Sequence, residues 1–321
     1  MRYLALFFMF GVLALSPSLA HAKSELWVYT SIYKEFIASI VQAFEKKHPE
    51  VDVQVFQGGS EKLQTKVEAE LVVQRPQADL VMTSDPFWAL RLEKRGSLHH
   101  SSAMAAGQTP FQTNYYSLMV MIAHKNFPAD QRPAKWQDLA LPRLNHLVHM
   151  ASPLESGTAF TAVAYLSRKY GWDYFDQLRK NNIGCSGGNS AVIQKVESGE
   201  KKVGVVLLEN ALAARKRGSP IEIIYPSDGG IPIPSVQFIL KASTHAPEAE
   251  KFAEFVLSPE GQALLRLGYM YSVNSKIAAP EGALSFEQAT KEATPWTAES
   301  LQDVADHAKE IKNKFDDLVL E

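Results

Sequence analysis

Cysteine is almost absent from this chain: Cys185 is the only one in 321 residues. A single thiol cannot staple a fold or build a thiolate metal cluster, so a disulfide scaffold is excluded, and Cys185 reads as a small buried residue near a glycine-rich turn. An excess of either charge is also lacking. Lys and Arg number 33 against 35 Asp and Glu, a formal net charge of −2, which leaves no electrostatic footprint for nucleic acid or an anionic membrane. Beyond the amino terminus there is no apolar run of about 20 residues, the length that a membrane span needs. Catalytic signatures are scarce too. There is no H-E-x-x-H and no P-loop, and His99-His100 has no third ligand at a recognisable spacing. An enzyme, a bound metal and a cofactor are therefore not expected.

What the amino terminus does contain is a short export signal. Arg2 supplies the positive end, Leu4 to Leu15 the apolar run, and Ala20-His21-Ala22 a small-x-small cleavage site. Residues 1–22 are expected to be removed, placing the mature protein in the periplasm without a lipid anchor, since no cysteine follows the cleavage site. Enough chain remains for two domains.

The stretch Ala151 to Phe160 is the feature around which the rest is organised. Leu147-Val148-His149-Met150 reads as a buried strand, and Ser156-Gly157-Thr158 leads from it into a helix whose apolar face is Phe160, Val163, Ala164 and Leu166. Ser156 or Thr158 is a suitable cap, and Gly157 lets the backbone pass close to a ligand. Such a helix start presents unpaired N–H groups and the positive end of the peptide dipoles, so it holds a small anion without Lys or Arg. The bland alternative is a plain strand-to-helix turn.

Three earlier joints have the same character. Strand 25–29 ends at Thr30-Ser31, strand 51–56 at Gly58-Gly59-Ser60, and strand 78–82 at Thr83-Ser84-Asp85, each followed by a helical pattern. In an open α/β sheet such joints lie at the carboxyl ends of the strands, where ligands bind. A fifth, Gly187-Gly188-Asn189-Ser190, enters another amphipathic helix. A sixth follows strand 203–208 at Glu209-Asn210.

These segments, with "LESGTAF", "GGNSAVIQKVESGEKKVGVV" and "APEAEKFAEFVLSPEGQALL", resemble the periplasmic solute-binding proteins of ABC importers over nearly the whole mature chain. The group includes receptors for ferric iron, for sugar phosphates and phosphoglycerates, and for 2-aminoethylphosphonate. The resemblance implies a type II periplasmic binding protein fold, α/β in class, with two lobes joined by crossing strands and a ligand cleft between them. Lobe 1 is expected at 23–114 and 236–275, lobe 2 at 115–235, and a helical segment packing on both at 276–321. Strands 115–123 and 236–240 are the expected crossings, the second following a Pro/Gly-rich stretch. Tyr115 and Tyr116 tempt assignment as metal ligands but suit ordinary strand packing.

In the iron-binding relatives the strand corresponding to 203–208 leads to two adjacent tyrosines that ligate the metal; here those positions read Leu208-Glu209-Asn210. A ferric ion needs several anionic oxygens, whereas Ser, Thr, Gly and Asn at helix starts suit a phosphoryl or phosphonyl group. The expected ligand-binding residues are Thr30, Ser31, Ser60, Ser84, Asp85, Ser156, Gly157, Thr158, Asn189, Ser190 and Glu209. Asp85 and Glu209 would accept from sugar hydroxyls or an ammonium group, or else cap helices. The expected partners are a small anionic organic ligand and an inner-membrane ABC permease, or a sensor kinase instead; the protein is expected to be a monomer. Iron binding is the alternative.

Overall fold

The computed structural model describes residues 23–101 and 108–320. The export signal read in residues 1–22 lies outside them. From Ser24 the chain alternates strand and helix, as its period-2 and period-3.6 apolar patterns require: β1 (Ser24–Thr30), α1 (Lys34–Lys47), β2 (Val51–Gln57), α2 (Ser60–Val72), β3 (Leu80–Thr83) and α3 (Pro86–Lys94). The 14-residue strand β4 (Phe111–His124) follows. A second alternation then begins with β5 (Val148–Met150), α4 (Gly157–Tyr170), α5 (Trp172–Lys180), β6 (Gly184–Cys185), α6 (Asn189–Glu197), β7 (Val203–Leu207), α7 (Leu208–Lys216) and β8 (Ile221–Ile224). The chain closes with β9 (Ile231–Ile239), α8 (Ala246–Leu257), α9 (Pro259–Leu267), β10 (Tyr271–Ser272), α10 (Phe286–Thr290), α11 (Ala298–Asp306) and α12 (Ala308–Phe315).

The strand order β2-β1-β3-β9-β4-β7-β5-β6 consists of two similar halves. In one, β2, β1 and β3 are parallel and β9 joins them antiparallel. In the other, β6, β5 and β7 are parallel and β4 joins them antiparallel. β4 and β9 pair with each other, and beyond that shared stretch β9 runs onto β3 while β4 runs onto β7 and β8. These two strands are therefore the crossings between two α/β units. Each unit has its own apolar core, one around Leu26, Ile40, Phe44 and Phe252, the other around Met121, Val163, Phe175 and Val205. Full burial of such a side chain contributes roughly 1.5–3 kcal/mol, so each unit carries its own main source of stability.

The second crossing begins five residues earlier than the sequence suggests, because β9 includes Pro232 and Pro234. Proline normally ends a strand by lacking an N–H. Here the proline-bearing part of β9 pairs with β4 alone, since its contact with β3 starts only at Val236. On that open side the Pro232 carbonyl accepts from Trp296 Nε1 at 2.9 Å, so no ladder bond is lost.

The carboxyl-terminal helices lie across the two units. Val304 and Ala308 of this segment share one apolar cluster with Phe87 of α3 and Phe160 of α4. Polar contacts match it: Lys94 donates to Asp306 at 2.9 Å on the α3 side, and Arg168 of α4 bonds Asp303. Among the described residues, no helix is long and apolar enough to cross a membrane.

Candidate functional site

All six parallel strands point their carboxyl ends at one cavity of about 70 Å³, room for roughly five waters. The first unit contributes Ser31, Ile32, Tyr33 and Phe36 after β1, Gly59 and Ser60 after β2, and Ser84 after β3. The second contributes Ser156, Gly157 and Thr158 after β5, Asn189 after β6, and Leu207 and Glu209 after β7. Tyr115 of the crossing strand, with Gly268 and Met270, completes the wall.

Among the described residues no Lys or Arg lines this cavity, but helix starts do. The starts of α1, α2, α4, α6 and α7 all border it, and each leaves unpaired N–H groups and about half a positive charge at its first turn. In α4 the Ser156 hydroxyl caps the Ala159 N–H at 3.3 Å, and the Ser156 carbonyl takes Phe160 N–H. The Gly157 and Thr158 amides, at the helix start, are the donors that the helical pattern itself leaves over.

Side chains fix these helix starts to one another. Asn189 Nδ2 donates to Thr158 Oγ1 at 3.1 Å while its Oδ1 accepts from Leu207 N–H at 3.2 Å, tying α6 to α4 and to the end of β7. Ser156 and Thr158 hydroxyls lie 3.0 Å apart. Across the cavity Ser84 Oγ accepts from Ser235 Oγ at 3.1 Å and lies 3.3 Å from Ser31 Oγ and 3.4 Å from Tyr115 OH. Burial raises the Tyr115 pKa, so its hydroxyl is held in the neutral form.

Among the described residues Glu209 is the one carboxylate that lines the cavity. It is 7% exposed; Oε1 accepts from Ser117 Oγ at 2.5 Å, and Oε2, shielded from solvent, has no partner. Burial pushes its pKa from 4.5 to about 7.

Of the residues singled out in the sequence, Ser31, Ser60, Ser84, Ser156, Gly157, Thr158, Asn189 and Glu209 come together at this cavity. Three do not. Thr30 is fully buried in β1, with its hydroxyl turned onto Ile32 N–H at 3.1 Å. Asp85 caps α3, its Oδ1 accepting from Trp88 N–H at 3.1 Å, while its Oδ2 lies 3.9 Å from Arg91. Ser190 is exposed, one residue further round the turn than Asn189, and lines an adjoining chamber. Tyr33, Phe36 and Met270 line the cavity without having been singled out; Tyr115, read as a strand-packing residue, lines it too, whereas Tyr116 packs against Phe286 with the rings tilted by 37°. The stretch Gly184-Cys185-Ser186-Gly187-Gly188 has G-x-S-x-G spacing, and His149 Nε2 meets the Ser186 carbonyl there at 3.2 Å.

The family described as bacterial extracellular solute-binding protein matches residues 26–267. An uncharacterised protein of Haemophilus influenzae is 30% identical over 274 residues, 78% of each chain. A periplasmic protein of Salmonella paratyphi A named for 2-aminoethylphosphonate binding is 27% identical over 201 residues, 58% of this chain and 59% of that protein. Among solved structures, AfuA of Actinobacillus pleuropneumoniae with fructose-6-phosphate bound superposes with a TM-score of 0.79 at 23% identity, covering 93% of this chain and 99% of that one. Iron-bound HitA of Pseudomonas aeruginosa gives 0.77 at 21%, covering 91% and 99%. At these identities the two structures establish the fold, that of the type II periplasmic binding proteins.

Proposed function

The chain belongs to the bacterial extracellular solute-binding proteins, non-enzymatic receptors that bring small ligands to ABC permeases, and from that premise we propose that its ligand is a small phosphorylated or phosphonylated organic anion. The observation that carries this reading is the convergence of five helix starts, from both units, on a cavity that has no Lys or Arg. A tetrahedral oxyanion accepts from many N–H and O–H donors at once, and here Ser31, Ser60, Ser84, Ser156, Thr158, Asn189 and the α4 amides surround it. The two lobes are proposed to be 23–114 with 236–275 and 115–235, joined by β4 and β9. The ligand bridges them and favours the closed form by its greater affinity for that form. Export to the periplasm follows the signal read in residues 1–22.

Iron is the competing ligand in a fold shared with HitA. A ferric ion wants several anionic oxygens. Among the described residues the cavity provides one carboxylate, Glu209, and two tyrosines: Tyr115, whose hydroxyl burial keeps neutral, and Tyr33, whose hydroxyl accepts from Asn210 Nδ2 at 3.0 Å. The donor set therefore favours the oxyanion.

The experiment is to unfold the purified protein, collect what it releases, and analyse the released solute by phosphorus NMR and mass spectrometry, with a parallel iron assay. Stoichiometric organic phosphorus supports the reading. Stoichiometric iron without phosphorus contradicts it.

A further inference from the structure

A second chamber of about 340 Å³ opens between α1 and the α6–α7 pair. Tyr33, Phe36 and Glu209 are walls of both this chamber and the inner cavity, while Glu35, Gln194 and Arg217 on its outer side are exposed. The chamber is therefore a vestibule between the cavity and solvent.

At its inner end one residue is out of keeping with its position. Tyr33 stands at the cap of α1, where a short polar side chain would hold the first amides, and its own side chain caps nothing. Its hydroxyl reaches across to the other unit instead, where Asn210 Nδ2 in the first turn of α7 donates to it at 3.0 Å. Turning the Asn210 amide would bring Oδ1 there to accept from the same hydroxyl, so the bond persists with either orientation. Asn210 directly follows Glu209, which places the bond where the two chambers meet.

The opposite flank is built differently. There the polar links between the units run through the carboxyl-terminal helices: Lys94 and Arg168 both bond α11, and Lys312 of α12 bonds Glu61 of α2. Parting the units on that flank would also break the apolar cluster of Phe87, Phe160, Val304 and Ala308. On the vestibule side, Leu208 and Leu212 of α7 pack with Tyr269 and Tyr271, but that cluster is rooted on β4 through Leu118 and Val120. Lobes that hinge on their crossing strands move least there.

We propose that the Tyr33–Asn210 pair is a latch: it holds the vestibule shut over the cavity, and its release is the step by which a solute enters and leaves. The inference rests on the lobe closure proposed above and is independent of the ligand's chemistry.

The test is amide hydrogen exchange in the ligand-freed protein. Gly157 and Thr158 carry amides at the cavity that the helical pattern leaves over, so their exchange reports access from solvent. Tyr33→Phe and Asn210→Ala should each speed that exchange roughly 3- to 10-fold, the worth of one hydrogen bond, relative to residues 119–123 of β4, whose exchange follows global unfolding. The double variant should add little to either single change, because both remove the same bond. Exchange at 90–94 and 303–308, on the opposite flank, should stay as in the native chain. Protection of Gly157 and Thr158 that survives both changes, or effects that simply add, overturns the latch and leaves closure standing. Exchange at these two amides as fast in the native chain as in the unfolded one overturns closure itself.

Discussion

Gly157 and Ser60 meet across the cavity so closely that a methyl group on Gly157 would lie 2.6 Å from Ser60 Cβ and 3.3 Å from Asp85 Cβ. Gly157 belongs to one unit, Ser60 and Asp85 to the other, so under the proposed closure this contact is a seam of the closed cleft. Gly157→Ala adds only a side chain that helices favour, and it should leave the open protein as stable as before or slightly more so. Closure is what it obstructs. Overpacking of this kind costs about 1–3 kcal/mol, so ligand affinity should fall roughly 5- to 150-fold in titration calorimetry. Adding Ser60→Gly should restore part of it; an unchanged affinity in Gly157→Ala would show that closure does not bring these residues together.

Thr158→Val keeps the side chain's shape and removes its hydroxyl. Asn189 Nδ2 then loses its acceptor at 3.1 Å in a buried setting. The expected loss is about 1–3 kcal/mol of folding stability, read from denaturant midpoints, together with at least about tenfold weaker ligand binding. Loss of stability with full affinity would make Thr158 a structural residue only.

The buried carboxyl of Glu209 makes the ligand-free protein sensitive to pH. Its pKa is raised from 4.5 to about 7, so between those values the folded protein holds a proton that the unfolded chain has released. Stability from this group is complete below pH 4.5 and is lost as pH rises through 7. Tyr115 and Tyr271, the neighbouring ionisable groups, have raised pKa values and stay neutral over this range. Between pH 4.5 and 8 the native chain should lose up to about 3 kcal/mol relative to Glu209→Gln, measured by denaturation at each pH. Parallel curves for the two proteins would contradict the assignment.

Lys312 of α12 donates to Glu61 of α2 at 2.7 Å, and both side chains are more than four-fifths buried. Lys312 Nζ also sits 4.8 Å from the centre of the Phe160 ring of α4, so this one cation touches both units. Lys312→Met should lower the unfolding temperature at neutral pH by leaving Glu61 buried and unpaired, a cost of about 1–3 kcal/mol for a pair of this exposure. Burial raises the Glu61 pKa, and protonation there removes the need for a partner, so the deficit should shrink at acid pH. A deficit that does not change with pH would argue against the pair.

The sequence makes the helix-start chemistry legible because caps are local. Ser156-Gly157-Thr158, Gly59-Ser60 and Gly188-Asn189 announce their turns within a few residues, and each turn reaches the cavity, the last through Asn189. Errors occur where the next residue decides. Asp85 stands before a proline at the first position of α3, a pattern that makes it a cap. Ser190 follows Asn189 by about 100° of helical turn and so faces away. Thr30, the last residue of β1, points into the core by strand alternation. Other features depend on long-range placement. Tyr115 reaches the cavity through the register of β4 on β9, which shifts between Thr113 and Tyr115, and no local pattern encodes that shift. The apolar face of 301–315 is plain in the sequence, but that it lies across α3 and α4 follows only from tertiary packing.

The most direct measurement is a thermal-shift series on the mature, ligand-freed protein with phosphorylated and phosphonylated compounds, their counterparts lacking that group, and ferric citrate. A ligand that binds only the folded state raises the unfolding temperature by mass action. The expected result is a rise with at least one phosphoryl or phosphonyl compound and none with its counterpart or with iron. A rise with ferric citrate alone would contradict the oxyanion site and make Glu209 a metal ligand in the same fold.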